Sequence, residues 1–134
     1  MFTLEGIDHV ALAVRDVRRS AAWYQDVLGL KRLYEEVWGD FPAIVGTGGT
    51  SIALFPVQSD QPKGRPGHDT LAMRHLAFRV DGPNFARARQ ALDARGIGVT
   101  FQDHGIAHSI YFYDPDGHEL EITTYDLADD RDRK

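Results

Sequence analysis

The sequence contains no cysteine in its 134 residues. This absence excludes disulfide bonds, thiolate nucleophiles and cysteine-ligated zinc sites. The chain also lacks an apolar run approaching the roughly 20 residues that cross a bilayer, and its start shows no secretory signal, so we expect a cytoplasmic protein without membrane association. The six histidines are therefore the main candidates for chemistry.

Basic residues are also scarce. The chain has 15 Lys and Arg residues and 20 Asp and Glu residues, which gives a net charge of -5. Nucleic-acid binding needs a basic face that displaces counterions, so we predict no nucleic-acid partner. A chain of this length can bury one core but is too short for two ordinary domains. The composition indicates one small globular domain.

Two segments of the chain resemble each other, Ile7–Val14 and Met73–Val80, with His9 aligned to His75. Each segment is followed by a stretch of helical spacing that ends at a glycine, and then by three strand-like runs. The order βαβββ is therefore predicted twice. The predicted strand runs are 31–38, 41–46 and 51–55 in the first half and 99–103, 108–113 and 118–124 in the second.

The segment between the halves is rich in Pro and Gly and poor in apolar residues, which is typical of a linker. The end of the chain is mostly charged and is expected to be a tail. We predict a single domain made of module 1 (5–56), a linker (57–72), module 2 (73–125) and a tail (126–134).

Strand side chains alternate between two faces, so the apolar positions fix the phase of each strand. In five predicted strands the opposite face carries polar and aromatic residues. Two imidazoles and one carboxylate on such a face match the ligands of a facial triad with open coordination positions. A solvated sheet face is the alternative explanation. The face collects His9, His75, Ser109, Tyr111, Glu121 and Phe55.

Three motifs resemble the vicinal oxygen chelate (VOC) superfamily: Ile7-Asp-His-Val, Arg74-His-Leu-Ala-Phe, and the block from Tyr111 to Ile122 that contains Asp-Pro-Asp-Gly-His-Glu. The resemblance implies an α+β fold, in which two paired βαβββ modules form an open cup-like barrel, the glyoxalase/bleomycin resistance/dioxygenase fold. It also implies a homodimer and one divalent metal ion that a small-molecule substrate chelates through neighbouring oxygens.

Carried over position by position, the resemblance makes His9, His75 and Glu121 the metal ligands. Fe(II) or Mn(II) is favoured, with Zn(II) or Ni(II) as alternatives. Tyr111 matches a substrate-contacting tyrosine and is the predicted catalytic residue. Ser109 matches a serine that contacts phosphonate in fosfomycin-resistance proteins. The predicted substrate-binding residues are Ser109, Phe55, Tyr113 and Trp38.

Residues that differ from the family pattern argue against some of the reactions known in the family. Ala53 stands where glyoxalase I has a fourth ligand. Phe101 and Asp130 stand where the fosfomycin-resistance group has a lysine and an arginine, which argues against an anionic phosphonate substrate. We therefore favour a dioxygenase-type reaction, such as extradiol ring cleavage. The alternatives are a glyoxalase-like lyase or isomerase, a metal-free ligand-sequestering protein similar to bleomycin-resistance proteins, and an inert dimeric interaction module.

The remaining histidines carry weaker expectations. His68, His104 and His108 are predicted to be solvent-exposed loop residues, although any of them could supply an acid–base group. His118 lies in a predicted hairpin on the apolar side of its strand and is expected to be structural.

Overall fold

The computed structural model describes residues 1–127. The chain forms two compact units, and the division between Lys63 and Gly64 falls inside the predicted linker. Each unit is described by itself. Except for residues 126 and 127, the predicted charged tail lies outside the described residues.

The first unit is a four-stranded mixed sheet with two helices. Strand β1 is parallel to β4, whereas β4 with β3 and β3 with β2 pair antiparallel, which gives the order β1-β4-β3-β2. The elements are β1 (Val10–Val14), α1 (Val17–Leu28), β2 (Lys31–Leu33), α2 (Glu35–Trp38), β3 (Ala43–Thr47) and β4 (Thr50–Pro56).

Helix α1 has the ends that the sequence predicts. The Asp16 side chain accepts a hydrogen bond from the Arg19 amide at 3.0 Å, which satisfies one of the free N–H groups at the helix start. Gly29 ends the helix with φ +69°, a conformation that glycine adopts without steric cost. Val17, Ala21 and Tyr24 are buried and place one face of α1 against β3 and β4.

The predicted strand 31–38 is wrong in its second half. Strand β2 ends at Leu33, and Tyr34 adopts a left-handed conformation with φ +58° that breaks the strand. The Val37 and Trp38 amides then both donate to the Tyr34 carbonyl, and α2 forms. Two glutamates in the first turn favour this helix because they lie at its positive end.

The second unit repeats the arrangement, with strand order β5-β8-β7-β6 and β5 parallel to β8. Helix α3 begins after Asp81, whose side chain accepts from the Asn84 amide at 2.9 Å, and its buried face includes Phe85 and Leu92. The elements are β5 (Leu76–Arg79), α3 (Gly82–Ala94), β6 (Thr100–Asp103), β7 (His108–Tyr113) and β8 (Glu119–Thr124).

The strand registers confirm the internal repeat. Ala11 pairs with Ala53 in the first sheet, and the equivalent Ala77 pairs with Glu121 in the second. Ala53 therefore occupies the place of Glu121, as predicted, and the predicted α+β class is confirmed by two mixed sheets with helices. Among the residues that the structure describes, no helix is long and apolar enough to cross a membrane.

Candidate metal centre

Glu121 is a buried carboxylate at the centre of the second sheet. It lies on β8 between β5 and β7, and its side chain is 9% exposed. The Ser109 hydroxyl on β7 donates a hydrogen bond to Oε2 of Glu121 at 2.5 Å. A buried carboxylate is costly unless it is hydrogen-bonded or paired with a cation. Oε1 is therefore the oxygen left for a cationic partner.

His75 faces this remaining oxygen. The residue directly precedes β5, and its Nε2 lies 2.9 Å from Oε1 of Glu121. The imidazole ring also stands edge-on to Tyr111, with 5.5 Å between the ring centroids. The second unit thus brings together three of the predicted site residues, namely His75, Glu121 and Tyr111.

Ser109 has a different environment from the one predicted. It is fully buried, and its hydroxyl also lies 2.9 Å from the Thr123 hydroxyl. A side chain without exposed surface does not present its hydroxyl to a substrate. The geometry instead gives Ser109 the role of holding the Glu121 carboxylate.

Tyr111 is half-buried, and its hydroxyl lies 3.1 Å from Nε2 of His104. Burial, together with the negative charge of Glu121, raises the pKa of the Tyr111 phenol above its ordinary value. The phenol therefore stays protonated and can donate a hydrogen bond. His104 lies in an exposed loop, as predicted. Its contact with Tyr111 across the β6–β7 hairpin was not predicted, because sequence spacing does not indicate it.

His68 lies in the expected exposed loop, whereas His108 does not lie in a loop. His68 Nε2 lies 3.2 Å from Oε1 of Glu119, and its Nδ1 lies 2.8 Å from Nη2 of Arg74. His108 begins β7 rather than lying in a loop, and its ring packs edge-on against Phe101 with 5.2 Å between centroids. His68 therefore joins the site, whereas His108 packs on the far side of β6.

His9 lies in the first unit, directly before β1. Its Nδ1 is 2.8 Å from Oδ2 of Asp8, so Nδ1 carries the proton when Asp8 is ionised and Nε2 presents a free lone pair. This is the usual arrangement of a metal-ligating histidine. Among residues 1–127, the structure gathers no group of three or more His, Asp and Glu side chains around one point. That His9, His75 and Glu121 bind one ion stays a prediction.

The predicted aromatic residues lie in both units. Phe55 on β4 and Trp38 on α2 belong to the first unit and are 43% and 50% exposed. Trp38 packs edge-on against Tyr34. Tyr113 belongs to the second unit and lines its cavity. Whether Phe55 and Trp38 contact a substrate stays a prediction.

The cavity of the second unit has a volume of about 240 Å³ and opens beside His75 and Tyr111. Small-molecule sites usually measure roughly 300–1,000 Å³, so this cavity suits a small ligand. Each of the residues that line it carries a polar group in its side chain. The lining residues are His68, Arg74, His75, Thr100, Gln102, Tyr111, Tyr113 and Glu119.

Phe101, which stands where the fosfomycin-resistance group has a lysine, does not line this cavity. Its ring stacks against the Arg89 guanidinium at 4.9 Å and packs near Phe85 of α3. The cavity-facing residues of β6 are its neighbours Thr100 and Gln102. Position 101 therefore supplies no cation to this cavity, and Asp130 lies outside the described residues.

The fold and the site agree with a comparison against known protein families. The sequence profile of the Glyoxalase/Bleomycin resistance protein/Dioxygenase superfamily matches residues 6–122. The chain belongs to this superfamily. The resemblance on which the metal ligands were assigned is thereby confirmed.

Two curated proteins that are similar to this chain are named as transferases. Metallothiol transferase FosB of Staphylococcus saprophyticus is 31% identical, covering 94% of this chain and 81% of the relative. Glutathione transferase FosA of Serratia marcescens is 29% identical, covering 93% and 84%. A solved glyoxylase/bleomycin resistance protein/dioxygenase domain from Frankia sp. has a TM-score of 0.75 at 27% identity, covering 91% and 98%.

These relatives do not support the preference for a dioxygenase. Both are named as transferases that use a thiol, and one name specifies a metal. They support a metal-dependent enzyme in general, but neither ring cleavage nor a preference for Fe(II).

Proposed function

We propose that this chain is a divalent-metal-dependent enzyme in which His9, His75 and Glu121 hold one metal ion. The observation that carries the proposal is the buried Glu121 carboxylate, which has Ser109 on one oxygen and the His75 imidazole 2.9 Å from the other. Nitrogen and oxygen donors of this kind suit Mn, Fe, Ni and Zn ions. The free Nε2 of His9 adds the third donor.

A divalent ion bound by these residues would supply Lewis-acid stabilisation of negative charge on a substrate oxygen. The chain supplies the remaining functions. Tyr111 presents a protonated phenol towards the cavity, and His104 holds its hydroxyl at 3.1 Å. Tyr113 contributes an aromatic wall, and the cavity volume of about 240 Å³ suits a small molecule.

The names of the relatives support a thiol-transfer reaction, and the family resemblance implies a small substrate that chelates the metal. Glyoxalase chemistry has less support, because Ala53 places a methyl group at the position of the fourth ligand. We also propose that the protein acts as a homodimer in the cytoplasm, as is common in the superfamily.

Metal content tests the proposed centre directly. Purified protein would be stripped with a chelator and titrated with Mn(II), Fe(II), Ni(II) or Zn(II), and bound metal would be measured by mass spectrometry. We expect about one equivalent in the wild type and a loss of most of it in His9→Gln, His75→Gln and Glu121→Gln. Glu36→Gln, which removes a charge from the exposed helix α2, is the control. Equal metal binding by all variants would refute the ligand assignment.

The reaction class needs a separate assay. Metal-loaded protein would be incubated with glutathione and a panel of small electrophiles that carry neighbouring oxygens, and loss of free thiol would be followed. Thiol loss that depends on Glu121 supports transferase activity. Oxygen uptake with catechols, without thiol loss, would instead show that the protein is a dioxygenase. Light scattering at twice the mass of the chain would support the dimer.

A further inference from the structure

Arg74 carries a charge that no carboxylate neutralises. Its guanidinium lines the cavity, and it forms no ion pair with an Asp or Glu in the described range. The one acidic side chain in the lining, Glu119, already has other partners. Its Oε1 lies 3.2 Å from His68, 3.8 Å from Arg65 and 3.8 Å from His75. Arg74 is therefore the one guanidinium in the lining of this cavity, and no carboxylate in the described range is paired with it.

His68 and Arg65 hold Arg74 in place. Because Nη2 of Arg74 donates to Nδ1 of His68 at 2.8 Å, that nitrogen must be the acceptor, and Nε2 of His68 donates to Glu119. The Arg65 guanidinium donates to the carbonyl of Arg74 at 2.7 Å. These contacts use one of the five N–H donors of Arg74 and leave the others available.

Two neutral donors lie in the same cavity. The Thr100 hydroxyl and the Gln102 amide line it from β6, and neither side chain forms a hydrogen bond with another residue in the range 1–127. Uncommitted donors around an unneutralised guanidinium match the oxygens of a carboxylate, phosphate or phosphonate group. A guanidinium also binds such groups through two parallel hydrogen bonds.

We propose that Arg74, with Thr100 and Gln102, binds an oxyanion group of the substrate next to the metal centre. This inference rests on the proposed function for the identity of the cavity as the substrate site. The positive charge that binds this group is that of Arg74, in the segment before β5, and does not come from the residue at position 101. The substrate class is therefore a small molecule that carries a carboxylate, phosphate or phosphonate.

Chemical-shift titration of the ¹⁵N-labelled full chain tests this assignment. Chelator-treated protein would be titrated at constant ionic strength with methylphosphonate, inorganic phosphate and acetate. We expect shifts at Thr100 and Gln102, and a roughly tenfold to hundredfold weaker affinity in Arg74→Gln, since it loses a charge-assisted contact. Arg74→Lys should give an intermediate affinity, because it keeps the charge without the planar fork.

Arg79→Gln is the matched control. Arg79 lies five residues further along the chain, on β5, and stacks over the Tyr125 ring at 4.4 Å, away from the cavity lining. Wild-type affinity in Arg79→Gln supports the proposal, whereas an equal loss in both variants, or no loss in Arg74→Gln, overturns it. Tighter binding of methylphosphonate or of acetate separates the two sources of the oxyanion. If binding depends on Arg74 but the protein binds no metal, this inference stands and the metal centre fails.

Discussion

The Ser109 hydroxyl and the Glu121 carboxylate form a buried hydrogen bond of 2.5 Å between neighbouring strands of the second sheet. The bond fixes one carboxylate oxygen and leaves the other directed at His75. Outer residues that orient a metal ligand typically contribute about 10- to 100-fold in metal affinity.

We therefore predict that Ser109→Ala lowers metal affinity by about 10- to 100-fold in competition with a metal indicator. Ser20→Ala is the control, because Ser20 is a fully buried serine in helix α1. An equal loss of affinity in both variants would point to general destabilisation. Unchanged affinity in Ser109→Ala would mean that Glu121 needs no orienting partner.

Asp8 should orient His9 in a similar way but with a smaller effect. The two side chains are 2.8 Å apart, yet the Asp8 side chain is 96% exposed, so water competes for the contact. We predict that Asp8→Asn reduces the fraction of His9 protonated at Nδ1, as measured by ¹⁵N shifts of the ring, and lowers metal affinity by less than about tenfold. A tautomer ratio unchanged from the wild type would contradict this role.

Asp40 should make stability depend on pH in the acid range. The Arg18 side chain donates to Asp40 at 2.7 Å and Arg32 donates at 3.2 Å, and the Arg18 hydrogen bond, followed by that of Arg32, holds the pKa of Asp40 below its ordinary value. A lowered pKa stabilises the fold fully above the unfolded value near 3.8, and this stabilisation is lost as the pH falls through the folded value.

The measurement is chemical denaturation between pH 7 and pH 2 with wild type, Asp40→Asn and Arg18→Gln. We expect Asp40→Asn to be less stable at neutral pH. Below about pH 4 its free energy of unfolding should fall less than that of the wild type. Arg18→Gln should reduce the same part of the decline, because it removes the first cause of the shift. If Asp40→Asn lost as much stability at acid pH as the wild type, the pH dependence would have to come from other carboxylates.

Gly46 on β3 should tolerate no side chain. A Cβ atom there would collide with the Thr50 carbonyl oxygen and would approach Cδ1 of Leu33 to 2.9 Å. We predict that Gly46→Ala lowers the free energy of unfolding by about 1–3 kcal/mol, since overpacking forces the backbone to move. Gly49→Ala is the control, because its Cβ would have nothing within 4 Å. Equal stability of the two variants would show that β3 shifts freely.

Strand alternation and the repeat predicted much of the second sheet. Tyr111 and Glu121 were placed on one face because the apolar neighbours of each residue fix the phase of its strand. Their pairing in the strand register confirms this. The same pattern contains no information on burial, so it did not reveal that Ser109 faces a carboxylate rather than a ligand.

The contacts that the sequence could not predict come from segments without periodicity. His68 and Arg65 lie in the Pro- and Gly-rich stretch before β5, and their partners Glu119 and Tyr113 are about fifty residues away. Contacts of this kind depend on how a loop packs against the folded sheet. Helix α2 was missed for a different reason: the left-handed Tyr34 ends the strand inside a run, 31–38, that contains no Gly or Pro to mark the break.

The matching registers of Ala11 with Ala53 and Ala77 with Glu121 have a consequence for protein engineering. The repeat thus gives the two sheets one equivalent position each, Ala53 and Glu121. The second module has a carboxylate at this position, and the first has a small apolar side chain. One codon in β4 thus separates this protein from a variant with a carboxylate at the same depth in both sheets, which makes Ala53 the natural starting point for directed evolution of new metal chemistry.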